Sequence, residues 1–356
     1  MTGPAFTPAA GRIVLCRAGF EGEAAGELGA RAAAAQIAGF ARASAGSGIA
    51  SFELHDPAER SALARATCWR DLIFARTVWD LCGRVQNLPA RDRVAPLLEA
   101  VHALQLRVSA LQLEHADSDA GRVLSGLARA LTAPLCDALR RAGILHPEAA
   151  GTLHVLLTAG DAAWLCAAAP GAAAPWPGGI PRLRFPTTAP SRSTLKLEEA
   201  FLVLMNEDER TRWLQPGMRA VDLGAAPGGW TWQLVRRSIR VAAVDNGPMQ
   251  PALLDSGLVE HVRADGFRYR PAQPVDWLVC DMVEQPRRIA QLLAQWLAEG
   301  RCRRALVNLK LPMKKRREEV QLCLGLLRDA LPDIELRARQ LYHDREEITV
   351  LALARP

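Results

Sequence analysis

Lysine is scarce in this chain. Of 44 lysine and arginine residues only four are lysine: Lys196, Lys310, Lys314 and Lys315. Arginine keeps its proton inside a protein, whereas lysine can lose one when burial or a neighbouring cation lowers its pKa. The four exceptions are candidates for positions where a guanidinium cannot serve, set against the plain reading of chance or packing. Close cysteine pairs are missing too. The eight cysteines stand apart with no C-x-x-C, which excludes the usual zinc spacing and leaves buried reduced thiols and no metal as the expectation. Met1 to Ala10 lacks a basic start followed by an apolar core, so no secretory leader is expected. The one long uncharged run, Ala162 to Pro181, is rich in alanine where leucine would be needed and holds four prolines, which excludes a membrane span and reads as a strand and a linker. A cytoplasmic protein without a membrane partner is expected.

What remains is ordinary globular composition. Hydrophobic residues make up 49% and charged residues 23% of 356, which excludes disorder and coiled coil for the bulk of the chain. At roughly 150 residues per domain the length allows two or three domains. The net charge of +6 leans toward an anionic partner, although charge of this size speaks of association and not of fold.

The N-terminal half carries no catalytic motif. Strands are expected at Arg12 to Cys16, Ile49 to Leu54 and Asp71 to Trp79, with helices at Glu21 to Ala35 and Asp56 to Ala66. This β-α-β-α-β order suggests a small ferredoxin-like α+β unit over residues 1–90. A second unit over residues 91–170 has helices at Val94 to Leu104 and Gly121 to Ala142, with strands at Leu106 to Leu113, Thr152 to Thr158 and Ala162 to Ala168. Residues 171–190 hold five prolines and are expected to form a stiff, extended linker. Over residues 191–356 strands and helices alternate, which argues for an α/β fold with a doubly wound parallel sheet.

The strongest local signal is Ala220-Val-Asp-Leu-Gly-Ala-Ala-Pro-Gly-Gly-Trp-Thr-Trp232. An apolar strand ends in an acid, a Gly/Pro turn follows, and a helix begins. Such a turn brings backbone N–H groups close to a ligand at the strand's C-terminal edge. Ala226 stands where a dinucleotide fingerprint needs its second glycine, which disfavours a nicotinamide site. Asp245 ends the next strand, where an acid typically bonds a ribose diol, and Asp265 and Asp281 end the two after it. Any one of these could be a helix cap. With Asp222, four in register describe a pocket for an adenosyl ligand.

These residues resemble motif I of the FtsJ-type ribose 2′-O-methyltransferases, Rossmann-like S-adenosyl-L-methionine enzymes with a Lys-Asp-Lys-Glu tetrad. The resemblance places the tetrad at Lys196, Asp281, Lys310 and Glu346, with Glu347 as the other choice for the acid. It extends to Ile180-Pro-Arg-Leu-Arg-Phe-Pro186, Ala189 to Glu199, Val244 to Met249, Asn308 to Lys315 and Gln340 to Glu347, all of which are similar to the large-subunit ribosomal RNA methyltransferase M family. A weaker N-terminal match rests on Cys16 to Glu21, Gly39 to Arg42 and Leu72 to Arg76. That family implies a ferredoxin-like unit, a THUMP RNA-binding unit and methylation of one cytidine ribose in the peptidyl-transferase region of 23S rRNA. The substrate would be 23S rRNA, free or in early assembly particles, with no obligate protein partner evident. Expected cofactor contacts are Ser193, Ala226, Pro227, Gly228, Gly229, Asp245, Asp265 and Asp281. One lysine would act as the base, its pKa lowered by the other ammonium.

Between Arg301 and Val320 eight basic residues face two glutamates. Beside a catalytic lysine this reads as a phosphate-contacting strip, with a solvated helix face as the plain alternative. Arg182, Arg184, Arg192, Lys314, Lys315 and Arg316 are the expected RNA contacts. Trp230 and Trp232 read as packing. Two competing functions stand beside the ribose reading. Base amino-methylation would want Asn/Asp-Pro-Pro-aromatic where Asp281-Met-Val-Glu284 stands, and carbon methylation would want a nucleophilic cysteine, for which mid-strand Cys280 should point the wrong way. A non-catalytic assembly factor would not need the tetrad.

Overall fold

A computed structural model describes residues 3–354, within which the chain forms two seven-stranded sheets. Met1, Thr2, Arg355 and Pro356 lie outside them. Contacts divide the chain into one unit of residues 1–181 and another of residues 182–356.

The first unit contains β1 (Ala5–Cys16), α1 (Glu21–Ala34), β2 (Gly39–Ala43), β3 (Ile49–Leu54), α2 (Arg60–Ala66), β4 (Ala75–Gln86), α3 (Val94–Ala103), β5 (Ala110–His115), α4 (Asp119–Arg122), α5 (Ser125–Arg141), β6 (Thr152–Ala159) and β7 (Ala162–Ala168). Its strand order is β2-β3-β1-β4-β7-β6-β5. β4 pairs antiparallel with β7, so one sheet runs through the position near residue 90 where two separate units were expected. β2 is an addition to the expected elements. It is an edge strand whose residues are almost all exposed, so no apolar alternation announces it. The expected helix from Gly121 is two pieces, the first capped by Ser118, whose Oγ accepts the Gly121 N–H at 3.1 Å.

The first part of the expected linker is not free. Ala174 N–H donates to Thr77 Oγ1 at 3.2 Å, and Ile180 is buried. Gly179 lies so close to β4 that a Cβ there would meet the Arg76 carbonyl oxygen at 2.3 Å. Proline stiffens this stretch, and backbone contact with the sheet fixes its path.

The second unit contains α6 (Thr194–Leu204), α7 (Glu207–Trp213), β8 (Arg219–Leu223), α8 (Gly229–Val235), β9 (Arg240–Val244), α9 (Pro251–Leu254), β10 (Val259–Val262), β11 (Val275–Cys280), α10 (Pro286–Ala298), β12 (Cys302–Lys310), α11 (Arg316–Ala330), β13 (Glu335–Arg339) and β14 (Glu347–Leu353). The order is β10-β9-β8-β11-β12-β14-β13. The five strands from β10 to β12 are parallel, whereas β14 runs antiparallel to both β12 and β13. The sheet is therefore mixed, which corrects the all-parallel expectation. A short connection returns β13 directly into β14 as an antiparallel pair, and no crossover helix separates them. Strand order reverses at β8 and β11, so a crevice forms beyond their C-terminal ends.

Candidate active site

Three strands and a helix build a compact charge cluster at that crevice. Lys310 closes β12, Asp281 follows β11, and Lys196 lies in the first turn of α6. Glu347 opens β14 directly opposite Lys310 in the antiparallel register. Lys196 Nζ lies 3.1 Å from Asp281 Oδ2 and 2.5 Å from Glu347 Oε1. Lys310 Nζ lies 2.6 Å from Asp281 Oδ1 and also bonds Glu347 Oε2. Two ammonium groups and two carboxylates thus alternate around a ring.

The expected acid was Glu346, and the geometry corrects it. The Glu347 side chain is 6% exposed inside the ring, whereas that of Glu346 is 49% exposed and pairs with Arg316 at 2.6 Å. Consecutive strand residues point to opposite faces, so only one of the two can reach the lysines. Asn308 and Lys310 face the same side of β12, opposite Thr349 and Glu347 of β14. Thr349 Oγ1 donates to Asn308 Oδ1 at 2.7 Å, and Asn308 Nδ2 donates to Asp281 Oδ1 at 3.0 Å. Asn308 thus holds the Asp281 carboxylate in place, a contact the sequence reading missed. Polar residues two apart on each of two adjacent strands were the available signal for both Asn308 and Glu347.

Electrostatics reverse one further expectation. Burial pushes the Lys310 amine down, but the charges and hydrogen bonds of Asp281 and Glu347 outweigh it and leave the pKa above the ordinary lysine value. Beside the expected second ammonium stand two carboxylates, so the net shift is upward.

Beside the cluster lies a cavity of about 630 Å³, walled by the loops after β8, β9, β10 and β11. Ala226, Asp245, Asp265 and Asp281 line it. Asp245 is fixed by two backbone donors, Ala226 N at 3.0 Å and Gly247 N at 2.7 Å, which leave lone pairs for a ligand's hydroxyls. Gly224 has φ +76°, and a Cβ there would meet Met282 Cγ at 2.5 Å, so any other residue would crowd the cavity wall. A mixed polar and apolar pocket of this size with a fixed carboxylate at a strand end fits a nucleoside-containing cofactor.

Ser193, Pro227, Gly228 and Gly229 do not line the cavity. The reason is packing: Gly229 lets α8 approach Ser193, whose Oγ a Cβ at that position would meet at 2.2 Å. Asp222 is the fourth acid of the expected row, yet it is buried and accepts from Thr231 Oγ1 at 2.6 Å. Burial pushes its pKa up to about 7, against the pull of that hydrogen bond. It braces the turn and does not face the cavity.

The basic segment is split. Arg301 precedes β12 and Arg303 and Arg304 lie at its start, about 20–30 Å of extended chain from Lys310 at about 3.3 Å per residue. Arg304 stacks over Trp213 and Trp277, and Arg301 pairs with Glu299. Lys314 and Lys315 are exposed beyond the Lys310 end of β12, with Arg316 turned inward to Glu346. Arg182, Arg184 and Arg192 are exposed, the first over the ring of Tyr342 and the last over that of Phe185. Trp230 is buried, and Trp232 packs against a small apolar cluster of the same unit. The eight cysteines are unpaired thiols. Among the described residues no cluster of His, Cys, Asp and Glu could hold a metal, and no helix is long and apolar enough to cross a membrane.

Residues 10–79 match a family model described as the RlmM ferredoxin-like domain. Residues 92–168 match the N-terminal model of ribosomal RNA large subunit methyltransferase M, and residues 189–322 match the FtsJ-like methyltransferase model. Proteins named ribosomal RNA large subunit methyltransferase M are 51% identical over 345 residues in Thauera aminoaromatica and 53% over 346 in Aromatoleum aromaticum. Each alignment covers 96% of this chain, with 95% and 94% of the respective relatives. A Xanthomonas campestris pv. campestris relative is 52% identical over 347 residues, which is 96% of this chain and 99% of that one. The chain belongs to the ribosomal RNA large subunit methyltransferase M family. It is accordingly an rRNA methyltransferase that uses S-adenosylmethionine, built on a Rossmann-like domain with a ferredoxin-like unit before it.

Proposed function

We propose that this methyltransferase acts on a ribose 2′-hydroxyl, that of one cytidine in the peptidyl-transferase region of 23S rRNA. The single observation that carries the ribose assignment is the closed Lys196–Asp281–Lys310–Glu347 ring beside the cavity. An aliphatic hydroxyl is a poor nucleophile until a base takes its proton, which is work a lysine can do and a base nitrogen's lone pair does not need. Cys280 is fully buried, and burial pushes its thiol up to about 12, which disfavours the thiolate that carbon methylation would use.

When bound, S-adenosylmethionine supplies a methyl group on a sulfonium that departs as a neutral thioether. Lys310 takes the hydroxyl proton as the new oxygen–carbon bond forms. Asp281 and Glu347 fix both amines, and Lys196 holds the ring's charge balance while Lys310 passes between its neutral and charged forms. Alignment of hydroxyl and methyl supplies most of the acceleration, up to about 7–11 kcal/mol by effective-molarity arguments. Exposed Arg182, Arg184, Arg192, Lys314 and Lys315 supply phosphate contacts, and Arg316 supports them through Glu346. RNA recognition is shared with the first unit, which carries no catalytic cluster.

Asp245 holds the cofactor ribose in this account. Asp245→Ala should weaken S-adenosylmethionine binding by about 1.5–3 kcal/mol, the cost of losing a charge-assisted hydrogen bond. RNA affinity should hardly change. Calorimetry that returned an unaltered cofactor affinity would take Asp245 out of that role.

The function itself is tested by mapping 23S rRNA modifications by mass spectrometry in cells with and without the protein. A single cytidine should lose a methyl group located on its ribose. A methyl group lost from a base instead would refute the assignment.

A further inference from the structure

Glu199 is a carboxylate buried to 2% exposure that no step of the proposed chemistry uses. Burying a charge is costly unless it is richly hydrogen-bonded. Here its oxygens accept from three donors, all in the loop between β13 and β14. They are Tyr342 N at 2.8 Å, His343 N at 2.9 Å and His343 Nδ1 at 2.6 Å. The two ends of this contact matter more than its strength. Glu199 lies three residues after Lys196 on α6, so both side chains share one face of the helix. His343 lies four residues before Glu347, at the start of the turn that feeds β14.

The loop between these points is itself cross-braced. Leu341 N donates to Asp344 Oδ2 at 3.0 Å, and Gln340 Nε2 donates to the Arg345 carbonyl at 3.1 Å. Thr349 Oγ1, whose other partner is Asn308, lies 3.0 Å from Asp344 Oδ2. A braced loop transmits displacement and does not absorb it. Its docking point on α6 therefore helps to set where the Glu347 carboxylate meets Lys196. Resting on the ribose-methylation reading of the ring, we infer that Glu199 is a positioning residue that clamps the β13–β14 loop to α6 and so aligns Glu347 with Lys196.

Geometry argues for a carboxylate at this position over an apolar side chain. Two backbone N–H groups and a ring nitrogen converge on two oxygens, and an amide could satisfy them only in part, because its NH₂ would face a donor. Packing alone would tolerate many residues, whereas three convergent donors fix one loop position.

The test uses the full-length enzyme with rRNA as substrate and tritiated methyl transfer counted in total RNA. Glu199→Gln should lower kcat by about tenfold to a hundredfold, as a displacement near 1 Å does, while KM for RNA and the cofactor Kd stay within about twofold. His343→Ala removes one donor and leaves both backbone bonds, so its kcat should fall by only about threefold. With only four lysines in the chain, carbon-13 lysine NMR gives a readout independent of turnover, and the Lys196 side-chain resonance should move in both variants. A Glu199→Gln enzyme with a lowered melting temperature, wild-type kcat and an unmoved Lys196 resonance would show a purely structural role and overturn the inference. If Glu199→Gln does not fold, His343→Ala decides: unchanged kcat with an unmoved resonance overturns the clamp. Because total methyl transfer is counted, a wild-type product methylated on a base would sink the ribose assignment without touching this result.

Discussion

Lys310→Arg should abolish methyl transfer, with a loss of about 10²–10⁴-fold, while cofactor binding and the fold persist. The guanidinium keeps the positive charge that Asp281 and Glu347 surround, so the ring's electrostatic balance survives. What it cannot do is accept a proton at accessible pH, and general-base catalysis is worth about that factor. The same residue fixes the pH dependence. Its pKa stands above lysine's ordinary 10.5, so the neutral amine that the proposed mechanism uses as base is a minor species at pH 7. That fraction grows about tenfold per pH unit below the pKa, and the chemical step should climb with pH through the mildly alkaline range. Single-turnover rates between pH 7 and 9.5 check it. A plateau near neutrality would mean that a group of lower pKa takes the proton.

Glu347→Gln and Glu346→Gln should differ by about two orders of magnitude in kcat, because only the first touches both lysines and misalignment of such a group costs about 10²-fold. Glu347→Gln leaves Lys196 and Lys310 sharing Asp281 alone, with one fewer negative charge between two ammonium groups. Glu346→Gln breaks only a half-exposed pair with Arg316, an interaction worth about 0–1 kcal/mol. Its effect should be confined to a small rise in KM for RNA. Equal effects of the two substitutions on kcat would show that β14 presents the wrong face to the ring.

The contrast between these neighbours shows where the sequence was legible. Lys196, Asp281 and Lys310 stood out because each sits in a distinctive motif and because lysine is so rare in this chain. The turn from Asp222 to Trp230 was legible because glycine and proline leave few alternatives after a strand. The acid of the ring depended on a different quantity, the register of β14 against β12, which pairs Lys310 with Glu347 and Asn308 with Thr349. A motif aligns residues in one dimension, but register decides which of two adjacent acids faces inward.

Other differences share that origin. β2 was invisible because an exposed edge strand needs no apolar stripe. Two N-terminal units were expected over residues 1–90 and 91–170, and the pairing of Asp80 with Ala167 and Val85 with Ala163 runs one sheet through both. The run of basic residues is continuous in sequence, but Arg304 and Lys310 lie toward opposite ends of β12. The sign of the Lys310 shift depends on every charge around the amine and not on one neighbour. A second lysine was anticipated beside it, and two carboxylates contribute more.

The most direct test of ribose methylation is the alkali resistance of RNA labelled by the purified enzyme. A methylated 2′-oxygen cannot attack the adjacent phosphodiester, so alkaline hydrolysis should leave the tritium in a dinucleotide, with cytidine as the modified member. Tritium recovered in a mononucleotide would show that the methyl group lies on the base, and would contradict the role assigned to the Lys196–Asp281–Lys310–Glu347 ring.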